Sequence, residues 1–335
     1  MSFQNVHVIG AGSWGTALAL VLQGNGLPVT VWGHDADSIA EIRAHRENRR
    51  YLPGVALPAE LDFTTELDGL PGADLILIVT PSKAIRAVAQ RLREAGARDD
   101  AVLLSCTKGV ERGTGARMSE ILAETLTKNP TAVLSGPSHA EEVARRMPTA
   151  VVLGCGDHPV ARRLQAAFSA AFFRTYTSDD VAGIELGGAL KNIFAIASGV
   201  SDGLGFGDNS KAALVTRAMA ELTSVGCALG GRRETFQGLS GIGDLMVTCF
   251  SRHSRNRLVG ERLGRGETLA EITASMTMVA EGVPTTYSAT ECARKNGIET
   301  PIIDQIHALL DGRISPRKAM ENLMSRELKA ETVKR

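Results

Sequence analysis

The segment Gly10-Ala11-Gly12-Ser13-Trp14-Gly15 leaves the chain few ways to fold around it. It follows the β-branched run Val6-His7-Val8-Ile9 and precedes residues 16–23, which are rich in helix formers, so the region reads as strand, turn, helix. Glycines at this spacing permit a tight turn, let the backbone approach a ligand closely, and bring the helix against the strand. A second strand is expected at Val29-Thr30-Val31-Trp32, introduced by Gly26-Leu27-Pro28, completing a βαβ unit of roughly 30 residues. In that context the triplet is a dinucleotide fingerprint, with the helix N-terminus facing the pyrophosphate. Gly10, Gly12 and Gly15 are therefore expected to bind a cofactor.

Further buried strands are legible at residues 75–79, 101–105, 132–134 and 150–153, with helical segments between most of them. That alternation predicts an α/β Rossmann domain with a doubly wound, mostly parallel sheet. After about residue 180 the β-rich runs stop, and Ala-, Leu- and Glu-rich segments broken by glycine loops predict an all-α remainder. At 335 residues the chain exceeds what a single core supports. The expected division is 1–180, an NAD(P)-binding Rossmann domain, and 181–335, a helical substrate and catalytic domain. Residues 175–180 fit a last strand, a linker or a helix cap equally well.

Lys plus Arg and Asp plus Glu both number 37, so no net field attracts nucleic acid or an anionic membrane, and any anionic ligand must be held by local groups. The five cysteines are scattered and form neither a disulfide framework nor a metal-binding pair, which fits a reducing cytoplasm. No metal, nucleic acid or integral membrane partner is expected, because no apolar run is read as approaching a span of about 20 residues.

Cofactor preference should be set after the second strand, where NAD sites usually place an acid. Here the sequence is Trp32-Gly33-His34-Asp35. Gly33 and His34 remove the obvious carboxylate, Asp35 remains at hand, and Arg43, Arg46, Arg49 and Arg50 follow. These arginines read equally as anion ligands or as one solvated helix face, so both NAD and NADP are expected.

Candidate chemistry lies further along. In residues 185–197 the apolar stripe runs through Leu186, Leu190, Ile193, Phe194 and Ala197, and Lys191 lies off it. Its own face carries Gly187, Gly188, Ala195 and Ser198, small residues that leave room for a ligand. A surface lysine and a catalytic one fit this pattern equally. Asp244 follows two glycines in Ser240-Gly241-Ile242-Gly243, which indicates irregular backbone and allows a turn-forming role as well as a chemical one. Lys108 lies just past a predicted strand, where open α/β sheets bind ligands, and Gly136-Pro137-Ser138-His139 follows another. His139 by itself reads as structural or solvated. In Ser251-Arg252-His253-Ser254-Arg255-Asn256-Arg257 either serine could cap a helix whose first turn holds a phosphate.

Taken together, Gly10 to Thr16, Arg50-Tyr51-Leu52-Pro53-Gly54, Ser105-Cys106-Thr107-Lys108-Gly109, Leu134-Ser135-Gly136-Pro137-Ser138, Leu190-Lys191-Asn192, Gly205-Phe206-Gly207-Asp208-Asn209, Gly243-Asp244-Leu245, Ser254-Arg255-Asn256 and Glu281-Gly282-Val283-Pro284-Thr285 resemble the prokaryotic-type NAD(P)-dependent glycerol-3-phosphate dehydrogenases, over almost the whole chain. The resemblance implies a C-terminal domain of the 6-phosphogluconate dehydrogenase type. It also implies reversible reduction of dihydroxyacetone phosphate to sn-glycerol 3-phosphate for phospholipid synthesis, in a cytoplasmic protein expected to be a homodimer. By matching position, Lys191 is the proton acceptor, Lys108 contacts substrate and cofactor, and Asp244 orients the site. Gly136, Ser138, Ser254, Arg255 and Asn256 would hold substrate. Ser13, Trp14, His34, Tyr51, Ala140, Val279 and Glu281 would line the cofactor, with Arg255 serving both ligands. A β-hydroxyacid or 6-phosphogluconate type enzyme is the alternative within the same architecture, and a non-catalytic nucleotide sensor is the alternative outside enzymes.

Overall fold

The computed structural model describes residues 2–328 and 330–331. Eight strands form one sheet: β1 Val6–Ile9, β2 Val29–Trp32, β3 Asp62–Thr64, β4 Leu75–Ile78, β5 Val102–Ser105, β6 Thr131–Ser135, β7 Thr149–Gly154 and β8 Phe173–Ser178. Their order is β3-β2-β1-β4-β5-β6-β7-β8, and every neighbouring pair is parallel except β6 with β7. The strand order reverses between β1 and β4, so a crevice opens beyond their carboxyl ends. There Val6–Ile9 gives way to the glycine turn, and helix Ser13–Gly24 starts.

β1, β4 and β5 are buried at every residue, which explains sequences that are apolar except for His7 and Ser105. β3 escapes a reading by periodicity because it is three residues long, with only Phe63 buried. The ambiguous stretch 175–180 divides between two structures: β8 runs to Ser178, and Asp180 caps the next helix. Its carboxylate accepts from the backbone N–H of Gly183 at 3.0 Å, from that of Arg232 at 2.9 Å, and from Thr235 Oγ1 at 2.5 Å.

That helix, Val181–Gly203, is the axis of the helical part and is called here the core helix. It is long and apolar enough to cross a bilayer, contrary to the expectation from sequence, yet 89% of its apolar window is buried inside the protein. Buried over almost its whole length, it suits a position surrounded by other helices. Helices Asp208–Ala228, Asp244–Phe250, Arg255–Gly264 and Gly282–Lys295 pack against it.

The tightest of these contacts is backbone to backbone. A Cβ on Gly199 would strike the carbonyl oxygen of Arg257, and one on Gly260 would strike that of Ile196. Gly203 and Gly264 meet the same way. Because no side chain can intervene, the start of helix Arg255–Gly264 is held at a fixed place beside the middle of the core helix.

In an open helix, Gly→Ala stabilises by roughly 0.5–1 kcal/mol. Gly260→Ala should instead destabilise by about 1–3 kcal/mol, because the added methyl must separate two helices. Urea unfolding measures this, and a midpoint equal to or above that of the parent protein would contradict the packing described.

Candidate active site

The glycine turn is built as a cradle. Gly10 has φ +128°, and a Cβ there would press on the Val79 carbonyl. A Cβ on Gly15 would collide with the carbonyl of Gly10, whereas Gly12 has open space before it. Helix Ser13–Gly24 has no side-chain cap, so its first-turn N–H groups face the crevice without a protein acceptor. These features fit a dinucleotide pyrophosphate.

From this turn a cavity of about 410 Å³ runs across the carboxyl ends of the strands to the helical part. Gly10, Gly12, Ser13, Trp14, Gly15, His34, Tyr51, Lys108, Ser138, Ala140, Lys191, Ser254, Arg255, Asn256, Val279 and Glu281 all line it. Gly136 and Asp244 do not, and their places explain why. Gly136, at φ +126°, packs on Val151, and its carbonyl accepts from Lys108 Nζ at 3.1 Å and from Ser138 Oγ at 3.0 Å. Asp244 lies beneath the cavity floor, 1% exposed.

Asp244 organises that floor. It opens helix Asp244–Phe250, directly after a π-helical turn at Leu239–Gly243, so the irregular backbone expected from its glycines is present and delivers the carboxylate inward. Oδ2 accepts from Lys108 Nζ at 2.5 Å, and Oδ1 accepts from Lys191 Nζ. Lys191 also donates to Thr248 Oγ1 at 2.7 Å, and Thr248 in turn donates to the Asp244 carbonyl at 2.6 Å. Two of the three donors on each ammonium are thereby held by protein, and the third is left for the cavity.

Of the two readings open for Lys191, the surface one is excluded: the residue is 6% exposed. The small residues on its face admit protein rather than ligand. A Cβ on Gly187 would meet the Ser240 carbonyl, and one on Gly188 would meet Ser135 Oγ with the Lys108 stem close behind. Burial lowers the Lys191 ammonium to about 7; Asp244 opposes the shift and Lys108 assists it. Burial alone would raise the Asp244 carboxyl, but the two ammonium groups prevail and hold it below the ordinary carboxylate range.

Around this floor, Ser254 is the helix cap, its Oγ accepting from the Arg257 N–H at 3.2 Å, while Ser251 ends the preceding helix. The Arg255 guanidinium donates to the Val279 carbonyl at 2.8 Å. Asn256 ties three elements together, donating to Asn192 Oδ1 at 2.9 Å and accepting from the Gly282 N–H at 2.8 Å. Glu281 accepts from the Ser82 N–H at 3.0 Å and from Ser82 Oγ at 2.6 Å, joining the loop after β4 to the helical part. His139 has a buried Nε2 with no partner, and its ring lies 5.8 Å from that of His253. Burial lowers its pKa, with Lys191 acting the same way.

Thr248 and Asn192 line the cavity and were not anticipated. The available signal was spacing: Thr248 stands one helical turn after Asp244, and Asn192 directly follows Lys191.

Asp244→Asn should destabilise the protein by about 3–5 kcal/mol, since it removes the buried carboxylate that Lys108 and Lys191 share. The sign of its pH dependence follows from Lys191, whose folded value lies below the unfolded one. Such a group opposes folding more as pH falls, until it becomes protonated in the folded state. Without Asp244 that protonation occurs at lower pH, so the deficit should widen as pH drops below about 7. Chemical unfolding at pH 8 and pH 5.5 tests this, and a constant deficit would contradict it.

The comparisons with known proteins agree along the whole chain. The family models for the N-terminus and C-terminus of NAD-dependent glycerol-3-phosphate dehydrogenase match residues 5–161 and 180–321. The proteins named glycerol-3-phosphate dehydrogenase [NAD(P)+] of Syntrophotalea carbinolica and Geobacillus kaustophilus are each 47% identical to this chain. Each alignment covers 98% of it, and 99% and 96% of the relatives respectively. The crystal structure of the Coxiella burnetii glycerol-3-phosphate dehydrogenase superposes with a TM-score of 0.92 at 39% identity, covering 96% of this chain and 99% of that one. The chain belongs to the NAD-dependent glycerol-3-phosphate dehydrogenase family.

Proposed function

We propose that this chain interconverts dihydroxyacetone phosphate and sn-glycerol 3-phosphate, using NAD or NADP, with Lys191 as the proton carrier. The observation that carries this reading is a buried lysine, lowered to about 7, at the floor of a cavity that begins on a dinucleotide turn. The nicotinamide, when bound, accepts or donates the hydride. In the oxidative direction the C2 hydroxyl proton passes to neutral Lys191 Nζ as hydride leaves C2, and the C2–O bond becomes a carbonyl. In the reductive direction the protonated lysine returns that proton. Asp244 keeps the ammonium in place and prevents its pKa from falling further, while Thr248 orients Nζ.

Lys108 suits a contact with both ligands, because it shares the Asp244 carboxylate and lines the same cavity. The substrate phosphate would sit at the start of helix Arg255–Gly264, where Ser254, Arg255 and the helix N-terminus supply donors. Ser138 completes this end from the loop after β6, with Gly136 acting through its carbonyl under Lys108. Asn256 contributes by fixing the helix start against Asn192. Ser13, Trp14, His34, Tyr51, Ala140, Val279 and Glu281 would border the dinucleotide. Residues 1–180 would form the cofactor unit and 181–335 the catalytic one.

The product would supply phospholipid synthesis, and the protein would work in the cytoplasm, which suits five cysteines that are all unpaired. A homodimer is the proposed assembly. The exposed Ile242, Met246 and Phe250, spaced four residues apart, offer an apolar surface to a second copy.

Lys191→Ala should lower kcat for dihydroxyacetone phosphate reduction by about 10²–10⁴, measured by NADH and NADPH oxidation. Full turnover in that variant would remove Lys191 from the mechanism. Oxidation of glycerol 3-phosphate should lose kcat/KM as pH falls below about 7, where Lys191 becomes protonated. Arg255→Ala should raise KM for dihydroxyacetone phosphate more than it lowers kcat; an unchanged KM would place the phosphate elsewhere.

A further inference from the structure

An ion pair that the proton chemistry does not use stands at the adenosine end of the cavity, beyond β2. Asp35 Oδ2 accepts from Arg50 Nη1 at 3.0 Å, while Oδ1 accepts from the Ser38 N–H at 3.2 Å as the cap of helix Ala36–His45. Each oxygen thus already accepts one protein donor, and the Arg50 guanidinium stands where the ribose hydroxyls meet the acid of an NAD site. The three neighbouring arginines face other partners. Arg46 donates to the carbonyls of Pro58 and Leu61, Arg49 pairs with Glu47, and Arg43 lies 3.9 Å from Asp62. The Arg50 guanidinium instead contacts two residues that line the cavity: Asp35, and Tyr51, whose ring centroid is 5.2 Å away.

Its position is fixed from below. Asn48 is 1% exposed, and its amide donates to the Ala11 carbonyl at 3.0 Å and to Thr16 Oγ1 at 2.9 Å. Its Oδ1 accepts from the Tyr51 N–H at 3.3 Å. The loop carrying Arg50 is thus anchored to the glycine turn.

We infer that Arg50 and Asp35 form a displaceable clamp for the 2′-phosphate of the dinucleotide's adenosine ribose, with Arg50 moving from the carboxylate to the phosphate when one is present. The inference rests on the dinucleotide reading of the cavity. The pair is half-exposed, its side chains 49% and 37% accessible, so opening it requires little. A guanidinium bound to a phosphate dianion makes two parallel charge-assisted bonds and more than replaces it. When no phosphate is present the pair stays closed, so the site admits both dinucleotides and favours the phosphorylated one.

Calorimetry on the full chain with 2′-phospho-ADP-ribose and ADP-ribose reads this without nicotinamide chemistry. The phosphorylated ligand should bind the parent protein tighter by about tenfold or more, a typical yield of one bidentate guanidinium–phosphate contact. Arg50→Ala should bring the ratio of dissociation constants to about 1 by weakening only the phosphorylated ligand. Asp35→Asn keeps a helix-cap acceptor as good as Asp and removes the competing charge, so the phosphorylated ligand should bind tighter than to the parent. A ratio that Arg50→Ala leaves unchanged, or a parent protein that prefers ADP-ribose, would overturn the clamp. Failure of both ligands to bind would overturn the dinucleotide reading itself.

Discussion

One carboxylate, shared between two lysines from different parts of the chain, holds this site together. Asp244 accepts Lys108 on one oxygen and Lys191 on the other, out of contact with solvent. Removing an ion pair from water is costly, and only near-complete hydrogen bonding offsets that cost. Here Gly136, Thr248 and the cavity take the remaining donors. The arrangement leaves Lys191 between two opposing influences, desolvation and a nearby like charge against a counter-ion in contact. A lysine so balanced exchanges a proton near neutrality, as hydride chemistry at a carbinol carbon requires.

The rest of the fold serves to bring these groups together. The sheet reversal between β1 and β4 opens the crevice, and the loops after β5 and β6 carry Lys108 and Gly136 to its edge. The core helix brings Lys191, and the π-helical turn rotates Asp244 beneath it. Glycines at 199, 203, 260 and 264 let two helices touch through their backbones, which fixes the start of helix Arg255–Gly264 relative to the lysine. The Glu281–Ser82 contact then ties the two sides of the cavity.

The strands and the glycine turn were legible because buried parallel strands are written as near-continuous apolar runs, and the turn demands residues without side chains. The members of the site were legible mostly through resemblance, since the residues alone left Lys191 equally a surface group. Local sequence cannot show that burial: the helix is covered by segments as distant as Gly282–Lys295 and Pro301–Leu310. Gly187 and Gly188 were read as space for a ligand, but Ser240, Ser135 and the Lys108 stem fill that space. β3 was too short to show a period. The partners of Arg43, Arg46, Arg49 and Arg50 depend on loop geometry, which no spacing rule conveys.

Lys191 is balanced near neutrality. That balance can be read directly from the 13Cε chemical shift of Lys191 in lysine-labelled protein titrated from pH 5 to 11, with the resonance assigned by its loss in Lys191→Arg. The account predicts a transition near 7, well below the ~10.4 of an ordinary lysine. A single transition at the ordinary value would contradict it.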